Sequence, residues 1–243
     1  MKKLFYSLLV LPVVFLMAMI PSAREQQSLE GAWTFHYGKN DFAMLLQDGY
    51  CMFTQYDLSA KKFVLSSGGP YTVAGDKLRI SVQFNSADKS MVGQMHEYSF
   101  TWKDDVLTTQ LPDGGISVTW KRVDAGNKNL AGNWRITQRK QGDQMVDMPL
   151  RSRRTLKLLT ASRFQWAAIN IETGEFSGTG GGTYTFKDGK YTEHIEFFSR
   201  DSSRVGMSLS FDGQLKNGDW IHSGKSSKGD PIYEVWSRMK NNE

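Results

Sequence analysis

Residues 181–206, GGTYTFKDGKYTEHIEFFSRDSSRVG, decide the fold because residues 68–93, GGPYTVAGDKLRISVQFNSADKSMVG, follow the same pattern. Both stretches pass from Gly-Gly through Tyr-Thr and a turn to a Lys and an alternating strand, and both end in Val-Gly. Self-similarity at a constant offset is the signature of a repeated structural unit. The chain is therefore predicted to contain the same β-rich unit twice.

A cluster of glycines, residues 178–182, lies at the start of the second stretch and suggests a phosphate-binding loop as an alternative. Such a loop needs a Lys and a Ser or Thr after its last Gly, whereas Gly182 is followed by Thr183 and Tyr184. A dinucleotide-binding turn opens a helix, and here an alternating strand follows. Because residues 68–69 are glycines at the matching place, we interpret the cluster as a bend or bulge in a barrel strand.

The repeat extends to both ends of each unit. The first unit starts LEGAWTF at Leu29 and the second LAGNWRI at Leu130, and turns such as QDGY, AGDK, KDGK and KNGD divide both into short runs. This spacing is typical of an all-β fold. We predict two tandem up-and-down antiparallel β-barrels of about eight strands each, over residues 29–123 and 130–239. In the first barrel strands are expected near 31–37, 42–47, 50–56, 62–73, 77–85, 94–102, 106–111 and 116–123.

Residues 1–23, MKKLFYSLLVLPVVFLMAMIPSA, have the charged start, apolar run and small-residue exit of a secretory signal peptide. We therefore expect an exported protein, periplasmic or secreted in a Gram-negative bacterium. Pro21 is unusual at a cleavage site, so an uncleaved anchor is the alternative. No other run is long and apolar enough to span a membrane, so no stable span is expected after signal removal.

Charge and motif content exclude several function classes. Loss of Lys2 and Lys3 with the signal lowers the formal net charge from +5 to +3, which gives no reason to expect nucleic-acid binding. Cys51 is the only cysteine, and we expect a buried structural thiol because it matches Phe164 in the second unit. No histidine has metal-ligand spacing and no G-x-S-x-G elbow is present, so we predict no catalytic residue, no metal and no cofactor.

Each unit begins Gly-x-Trp and ends Trp-x-Arg. The first and last strands of such a barrel are neighbours, so we expect Arg122 over Trp33 and Arg238 over Trp134 as cation–π contacts. This pattern resembles the lipocalin, or calycin, superfamily, whose first strand carries Gly-x-Trp and whose last strand carries that Arg. The second unit, with RFQWAAINIETGEF, GTGGGTYT, IEFFSRD and SSKGDPIYEVWSR, is similar to an exported bacterial lipocalin-like family of unknown function. The resemblance implies a barrel with an interior cavity, but no particular reaction or ligand.

Alternation predicts that Glu193 faces the interior of the second barrel, because it matches Ile80 of the first unit. Glu234 replaces Val118 in the same way. A buried carboxylate needs a partner, a hydrogen bond or a proton. We predict a partly wet ligand-binding site formed by Glu193, Trp166, Tyr184, His222, Glu234 and Trp220, with Tyr191, Ile195 and Phe197 also facing inward. The alternative for Glu193 is a structural ion pair with an inward Arg or Lys, Arg238 being the obvious candidate.

Other residues are expected in less specific roles. The first barrel is richer in aromatic residues, and we expect a filled core with His96 as its one polar residue. On the strand before the last, Trp220 and His222 share one face, and the alignment of the two units places them at Val106 and Thr108 of the first unit. The pair His194 and Glu196 is expected on the solvated outer face, and the basic run Arg151, Arg153, Arg154 and Lys157 on a solvated loop or strand edge.

Two function classes remain. The first is an exported lipocalin-like binding protein that holds a small, partly apolar ligand, chiefly in the second barrel. The second is a non-enzymatic envelope or cell-surface interaction module with filled barrels and an envelope protein partner. A lipocalin-like hydrolase or isomerase is a third. A connected pocket lined by aromatic residues favours the first class, and filled barrels with an exposed apolar patch favour the second.

Overall fold

The computed structural model describes residues 28–111, 114–226 and 229–239. Over these ranges the strands form two nine-stranded antiparallel sheets, each closed into an eight-stranded barrel with one extra strand. The predicted all-β fold class is therefore confirmed. The predicted signal peptide, residues 1–23, lies outside the described residues. Across the described ranges, no helix has the length and apolar character needed to cross a membrane.

The first barrel closes because its fourth strand pairs with both its third and its fifth. Its predicted strand 77–85 is divided in two, since Pro70 on the neighbouring strand has no N–H to donate to the ladder. The strands are β1 (Gly31–Tyr37), β2 (Asn40–Gln47), β3 (Tyr50–Asp57), β4 (Lys62–Ala74), β5 (Lys77–Ser81), β6 (Phe84–Asn85), β7 (Met95–Lys103), β8 (Val106–Gln110) and β9 (Ser117–Asp124).

The second barrel closes through pairing of its first and last strands, and its extra strand β11 pairs with the outer end of β10. Its strands are β10 (Gly132–Gln141), β11 (Gln144–Asp147), β12 (Arg153–Leu159), β13 (Arg163–Asn170), β14 (Glu175–Lys187), β15 (Lys190–Phe198), β16 (Ser208–Lys216), β17 (Asp219–Lys225) and β18 (Pro231–Arg238).

Strand β15 bulges at Glu196, opposite the glycine cluster of β14, at the register shift between Gly181 and Gly182. A Cβ on Gly182 would lie 2.0 Å from the carbonyl oxygen of His194, so no larger residue fits there. The bulge also reverses the alternation at the end of β15. Phe197, predicted to face inward, instead packs outside the second barrel, and Phe198 lies on its inner side.

The last strand of each barrel lays an arginine over the first tryptophan. The guanidinium carbon of Arg122 lies 5.3 Å from the ring centroid of Trp33, and that of Arg238 lies 4.4 Å from the ring centroid of Trp134. Each guanidinium also donates to a backbone carbonyl oxygen just before the first strand of its barrel. Arg122 donates to the Glu30 carbonyl at 2.8 Å, and Arg238 donates to the Ala131 carbonyl. These contacts close one end of each barrel.

The glycine of each Gly-x-Trp motif makes room for this closure. A Cβ on Gly132 would lie 2.0 Å from Nη1 of Arg238. A Cβ on Gly31 would lie 1.9 Å from the carbonyl oxygen of Asp124 at the end of β9. The motif therefore has a steric cause, since only glycine lets the last strand approach the first tryptophan this closely.

The two barrels pack against each other through the outer faces of β2–β3 and β12–β13. Ala43 and Leu45 lie on one side, and their repeat equivalents Leu156 and Leu158 lie on the other. Because this cluster buries the outer faces, residues 43–47 of β2 and 156–159 of β12 are buried on both faces. The buried members of this inter-barrel core are Ala43, Leu45, Tyr50, Met52, Tyr56, Phe84, Leu156, Leu158, Ala167, Ile169 and Phe197.

Polar groups inside the same contact are paired across the barrels. Gln165 accepts from Thr54 Oγ1 at 2.8 Å, and its amide nitrogen donates to Ser66 Oγ at 2.8 Å and to Thr179 Oγ1 at 3.1 Å. All four residues are fully buried. Such a satisfied network fixes the register of one barrel on the other, because any sliding would leave buried polar groups unpaired.

Leu158→Ala tests the inter-barrel core. Leu158 is fully buried, so we expect the free energy of unfolding to fall by about 2–5 kcal/mol in urea. Leu58→Ala is the matched control, because that side chain is 44% exposed, and it should cost far less. A similar small loss for both variants would contradict a tightly packed interface.

Arg238 joins three contacts, namely the Trp134 ring, the Ala131 carbonyl and Asp48 of the first barrel at 3.1 Å. We expect Arg238→Ala to lower the free energy of unfolding by about 1–3 kcal/mol. Arg238→Lys should recover only part, because an ammonium cannot stack as a planar guanidinium does. Equal stability of the wild type and both variants in urea would refute the closure.

Candidate functional site

The interior of the second barrel holds a cavity of about 310 Å³. Its walls combine aromatic rings with buried charged groups. Its lining includes Ser226, which lies between β17 and β18, at the end of the barrel opposite Arg238. The other lining residues are Ile136, Arg139, Thr155, Lys157, Phe164, Trp166, Gly181, Glu193, Ile195, Phe198, Leu209, Phe211, His222, Glu234 and Trp236.

A buried ion pair crosses the floor of this cavity. Nζ of Lys157 on β12 contacts Oε1 of Glu193 on β15, and both side chains are more than 90% buried. The ammonium also lies within 4.9–5.6 Å of four ring centroids, those of Phe164, Tyr191, Trp220 and Trp236. Aromatic faces attract a cation, so the cage and the carboxylate together compensate for the lost hydration of the ammonium.

The first barrel shows what the fold requires at these two positions. Trp33 is opposite Met44 in the β1–β2 register, as Trp134 is opposite Lys157 in the β10–β12 register. Glu193 occupies the position of Ile80. The fold therefore closes with an aliphatic pair at the same place, and the ion pair of the second barrel is a property of its interior rather than of barrel construction.

A second carboxylate lies on the other side of the cavity. Glu234 Oε1 accepts from Nη2 of Arg139 at 2.8 Å, and its Oε2 accepts from Nε1 of Trp236 at 3.0 Å. Burial opposes ionisation of this carboxyl, but the adjacent His222 ring and the Arg139 guanidinium outweigh it and hold the Glu234 pKa below its usual value. Arg139 is 42% exposed, so its head group lies toward the solvent side of the cavity.

His222 is a buried polar group of the cavity that makes no hydrogen bond to a described residue. Its side chain is 4% exposed, and neither ring nitrogen has a hydrogen-bond partner among the described residues. Nδ1 lies 3.6 Å from Oε2 of Glu234, which is longer than a hydrogen bond. Burial lowers the pKa of His222 despite the two nearby carboxylates, so the ring is neutral at pH 7 and offers one donor and one acceptor.

Four of the six predicted ligand-binding residues border the cavity, namely Glu193, Trp166, His222 and Glu234. The other two lie in the wall behind it. Tyr184 donates its hydroxyl to the Thr160 carbonyl at 2.6 Å, and Trp220 packs beneath the ring of His222 at a centroid distance of 5.0 Å. Glu193 pairs with Lys157 rather than with Arg238.

The match of Trp220 and His222 to Val106 and Thr108 was wrong by one residue. Leu107 pairs with Trp120 and Thr109 with Val118, just as Trp220 pairs with Trp236 and His222 with Glu234. A slip of one residue moves every side chain to the other face of a strand. The equivalents inside the first barrel are therefore Leu107 and Thr109.

Of the residues predicted on the solvated surface, Lys157 is buried and Glu196 is half-buried. Lys157 lies inside the second barrel, because the neighbouring Leu156 and Leu158 face the first barrel and not the interior. Glu196 is covered by the first barrel, where it pairs with Nη2 of Arg163 and accepts from the Tyr56 hydroxyl at 2.7 Å. His194 stays exposed and hydrogen-bonds Ser208 at 2.7 Å.

Sequence reasoning missed several site residues, chiefly the charged Lys157 and Arg139 and the aromatic Phe198. The repeat could have revealed Lys157. The constant offset aligns it with Met44, at a strand position whose side chain faces the barrel interior. Across the described ranges, no group of three or more His, Cys, Asp or Glu residues is placed to hold a metal ion.

Comparison with known proteins gives a family match for part of the chain. Residues 129–243, which include the second barrel, match a domain of unknown function, DUF4488. No curated protein matches the chain. The family match carries no activity or ligand, so the chemistry of the site has to be argued from its geometry.

The repeat supplies a direct test of the ion pair. Glu193→Ile leaves Lys157 buried without its partner, and Lys157→Met leaves Glu193 in the same state, so each should cost about 3–5 kcal/mol of unfolding free energy. The double variant copies Met44 and Ile80 of the first barrel and should return to within about 1 kcal/mol of wild type or exceed it. Additive losses measured in urea would show that the two groups are not coupled.

His222 predicts a pH dependence of stability. Its folded-state pKa is depressed, so below the unfolded value of 6.5 the unfolded chain binds a proton that the folded chain does not. We expect wild type to lose about 1 kcal/mol between pH 7.5 and pH 5.5 relative to His222→Gln. Titrating groups away from His222 are common to both proteins and cancel in this comparison, and Glu234, whose pKa lies below its usual value in wild type, stays ionised there between these pH values. An equal change in unfolding free energy between the two pH values for wild type and His222→Gln would contradict a buried neutral ring.

Proposed function

We propose that this chain is an exported lipocalin-like binding protein that holds a small, partly apolar ligand, chiefly in the second barrel. The observation that carries the proposal is a neutral, unpartnered His222 in a 310 Å³ cavity with aromatic walls. A few convergent polar groups within apolar walls are the usual composition of a small-molecule site, and this volume is at the lower end of such sites.

The charges of the cavity favour an uncharged ligand. Glu193 is compensated by Lys157 and Glu234 by Arg139, and His222 is neutral. A charged ligand would find no unpaired opposite charge and would lose its hydration on entering. His222 has one donor and one acceptor that are covered by the protein in this structure, and we propose that a ligand with a hydroxyl or amide group, such as a polyol with an apolar part, engages them when it enters.

The same geometry gives no support for catalysis. Glu193 is engaged with Lys157 and Glu234 with Arg139, so neither carboxylate is free to act as a general base. We therefore propose a non-enzymatic role, with export placing the binding site in the periplasm or outside the cell.

The second candidate is the envelope or surface interaction module, and one observation favours it. Five large apolar side chains are exposed at the same end of the first barrel, where β1 ends, β3 meets β4, β7 begins and β8 leads to β9. They are Tyr37, Leu58, Met95, Leu111 and Ile116. Exposed apolar patches of this kind mark binding surfaces for other molecules.

Native mass spectrometry of protein purified from its own host tests the proposed function. We expect wild type to carry a small molecule that Thr155→Phe excludes, because the added ring occupies part of the cavity, and Phe42 shows that the fold accepts a ring at the equivalent place in the first barrel. Cys51→Phe, in the first barrel, is the matched control and should keep the molecule. A protein that carries a stoichiometric partner protein and no small molecule would overturn the proposal in favour of the second candidate.

A further inference from the structure

The first barrel is not filled, contrary to the expectation from its composition. It holds a cavity of about 270 Å³. One wall is a set of aromatic rings in mutual contact, since Phe35 stacks on Phe42 at 4.1 Å and packs edge-on against Trp120 at 4.7 Å. The remaining lining residues are Met44, Cys51, Phe53, Leu78, Ile80, Tyr98, Thr109 and Val118. A smaller space of about 70 Å³ shares Cys51 and Tyr98 with it and reaches His96.

Nothing in the lining of this cavity carries a charge at neutral pH. Burial raises the pKa of the Cys51 thiol to about 12 and also raises the pKa of Tyr98. The hydroxyl of Thr109 accepts a hydrogen bond from Nε1 of Trp120 at 3.0 Å and is already engaged. A guest in this cavity meets apolar surface and no free charged group.

The two barrels therefore differ at equivalent positions around their cavities. In the alignment of the repeats, Met44 of the first barrel corresponds to Lys157 of the second. In the same way Ile80 corresponds to Glu193, Val118 to Glu234 and Thr109 to His222. At each of these four positions a polar group of the second cavity is replaced by an apolar or hydrogen-bonded residue in the first. The two cavities cannot favour the same chemistry.

The cavity of the first barrel adjoins the end of the barrel that the arginine does not close. Phe35, Phe42, Thr109 and Val118 lie within two residues of the ends of their strands at this end, while Arg122 covers Trp33 at the other. The exposed apolar side chains of Tyr37 and Ile116 belong to the same end. An apolar molecule can thus pass from an apolar rim into an apolar interior.

We propose that the first barrel is a second ligand site, which binds a small uncharged apolar molecule, such as an aromatic or hydrocarbon compound without an ionised head group. This site is independent of the ligand proposed for the second barrel. Entry of the molecule covers aromatic surface that the first barrel leaves half-buried, including Phe35, Phe42 and Phe53. Removal of that surface from water supplies the affinity.

The test uses the uncharged fluorescent compound N-phenyl-1-naphthylamine and the full chain. We expect saturable binding that Cys51→Phe weakens by at least about tenfold, because Phe164 shows that a ring fits at the equivalent position. Thr155→Phe, which fills the second barrel, should leave the affinity within about twofold. Absence of binding, or loss of binding in Thr155→Phe only, would overturn the proposal while leaving the proposed function of the second barrel open.

Charge selectivity gives a second arm. 8-Anilinonaphthalene-1-sulfonate has a similar aromatic body with an added sulfonate, and we expect it to compete with the uncharged compound at least about tenfold more weakly than unlabelled N-phenyl-1-naphthylamine does. Equal competition at the site that Cys51→Phe blocks would contradict a lining without cations.

Cys51 provides a measurement on the unaltered protein if Cys51→Phe fails to fold. It is the only cysteine of the chain and borders the cavity, so its rate of reaction with the uncharged reagent 2,2′-dithiodipyridine reports access to the first barrel. Saturating N-phenyl-1-naphthylamine should slow this reaction by at least about tenfold. An unchanged rate at saturation would show that the compound binds elsewhere and would overturn the proposal.

Discussion

The apolar contact between β2–β3 and β12–β13 buries the outer faces of these strands, while their inner faces line the barrel interiors. A strand buried on one side alternates between apolar and polar residues, but a strand buried on both sides can place a charge inside only if a partner meets it there. Leu156 and Leu158 pack into the inter-barrel core. Lys157 between them therefore points into the barrel, where its charge needs a partner. The buried pair with Glu193 and the aromatic cage around the ammonium follow from that constraint.

The repeat explains why this constraint leads to two chemistries in one chain. Both barrels use the same registers and the same arginine closure, so differences in their interiors are not needed for folding. At the two equivalent inward positions the first barrel has the apolar residues Met44 and Ile80, and the second has the ion pair of Lys157 and Glu193. A costly polar interior beside an apolar equivalent supports the proposed binding role, since replacing a buried ion pair with apolar residues is often neutral or stabilising.

The sequence was sufficient for features that are local or that occur twice. Strand positions followed from turn residues and alternation, and the arginine closures followed from the Gly-x-Trp and Trp-x-Arg motifs. The glycine of Gly-x-Trp has a steric cause, as Gly132 shows. Glu193 could be placed inside the barrel because Ile80 served as its control. Features created by the contact between barrels could not be predicted in this way. Glu196 and Lys157 read as surface residues because nothing in a single repeat shows that a second barrel covers the neighbouring face.

The central claim is that the second barrel is a binding site in which His222 is the free hydrogen-bonding group and the charges are mutually compensated. A crystal structure of the protein purified from its own host, without added ligand, tests this most directly. The account predicts electron density for a bound molecule in the second barrel, with a polar atom within hydrogen-bonding distance of a His222 ring nitrogen and with Lys157 still paired to Glu193. A cavity closed by its own side chains, or a His222 ring bonded to the protein, would contradict it.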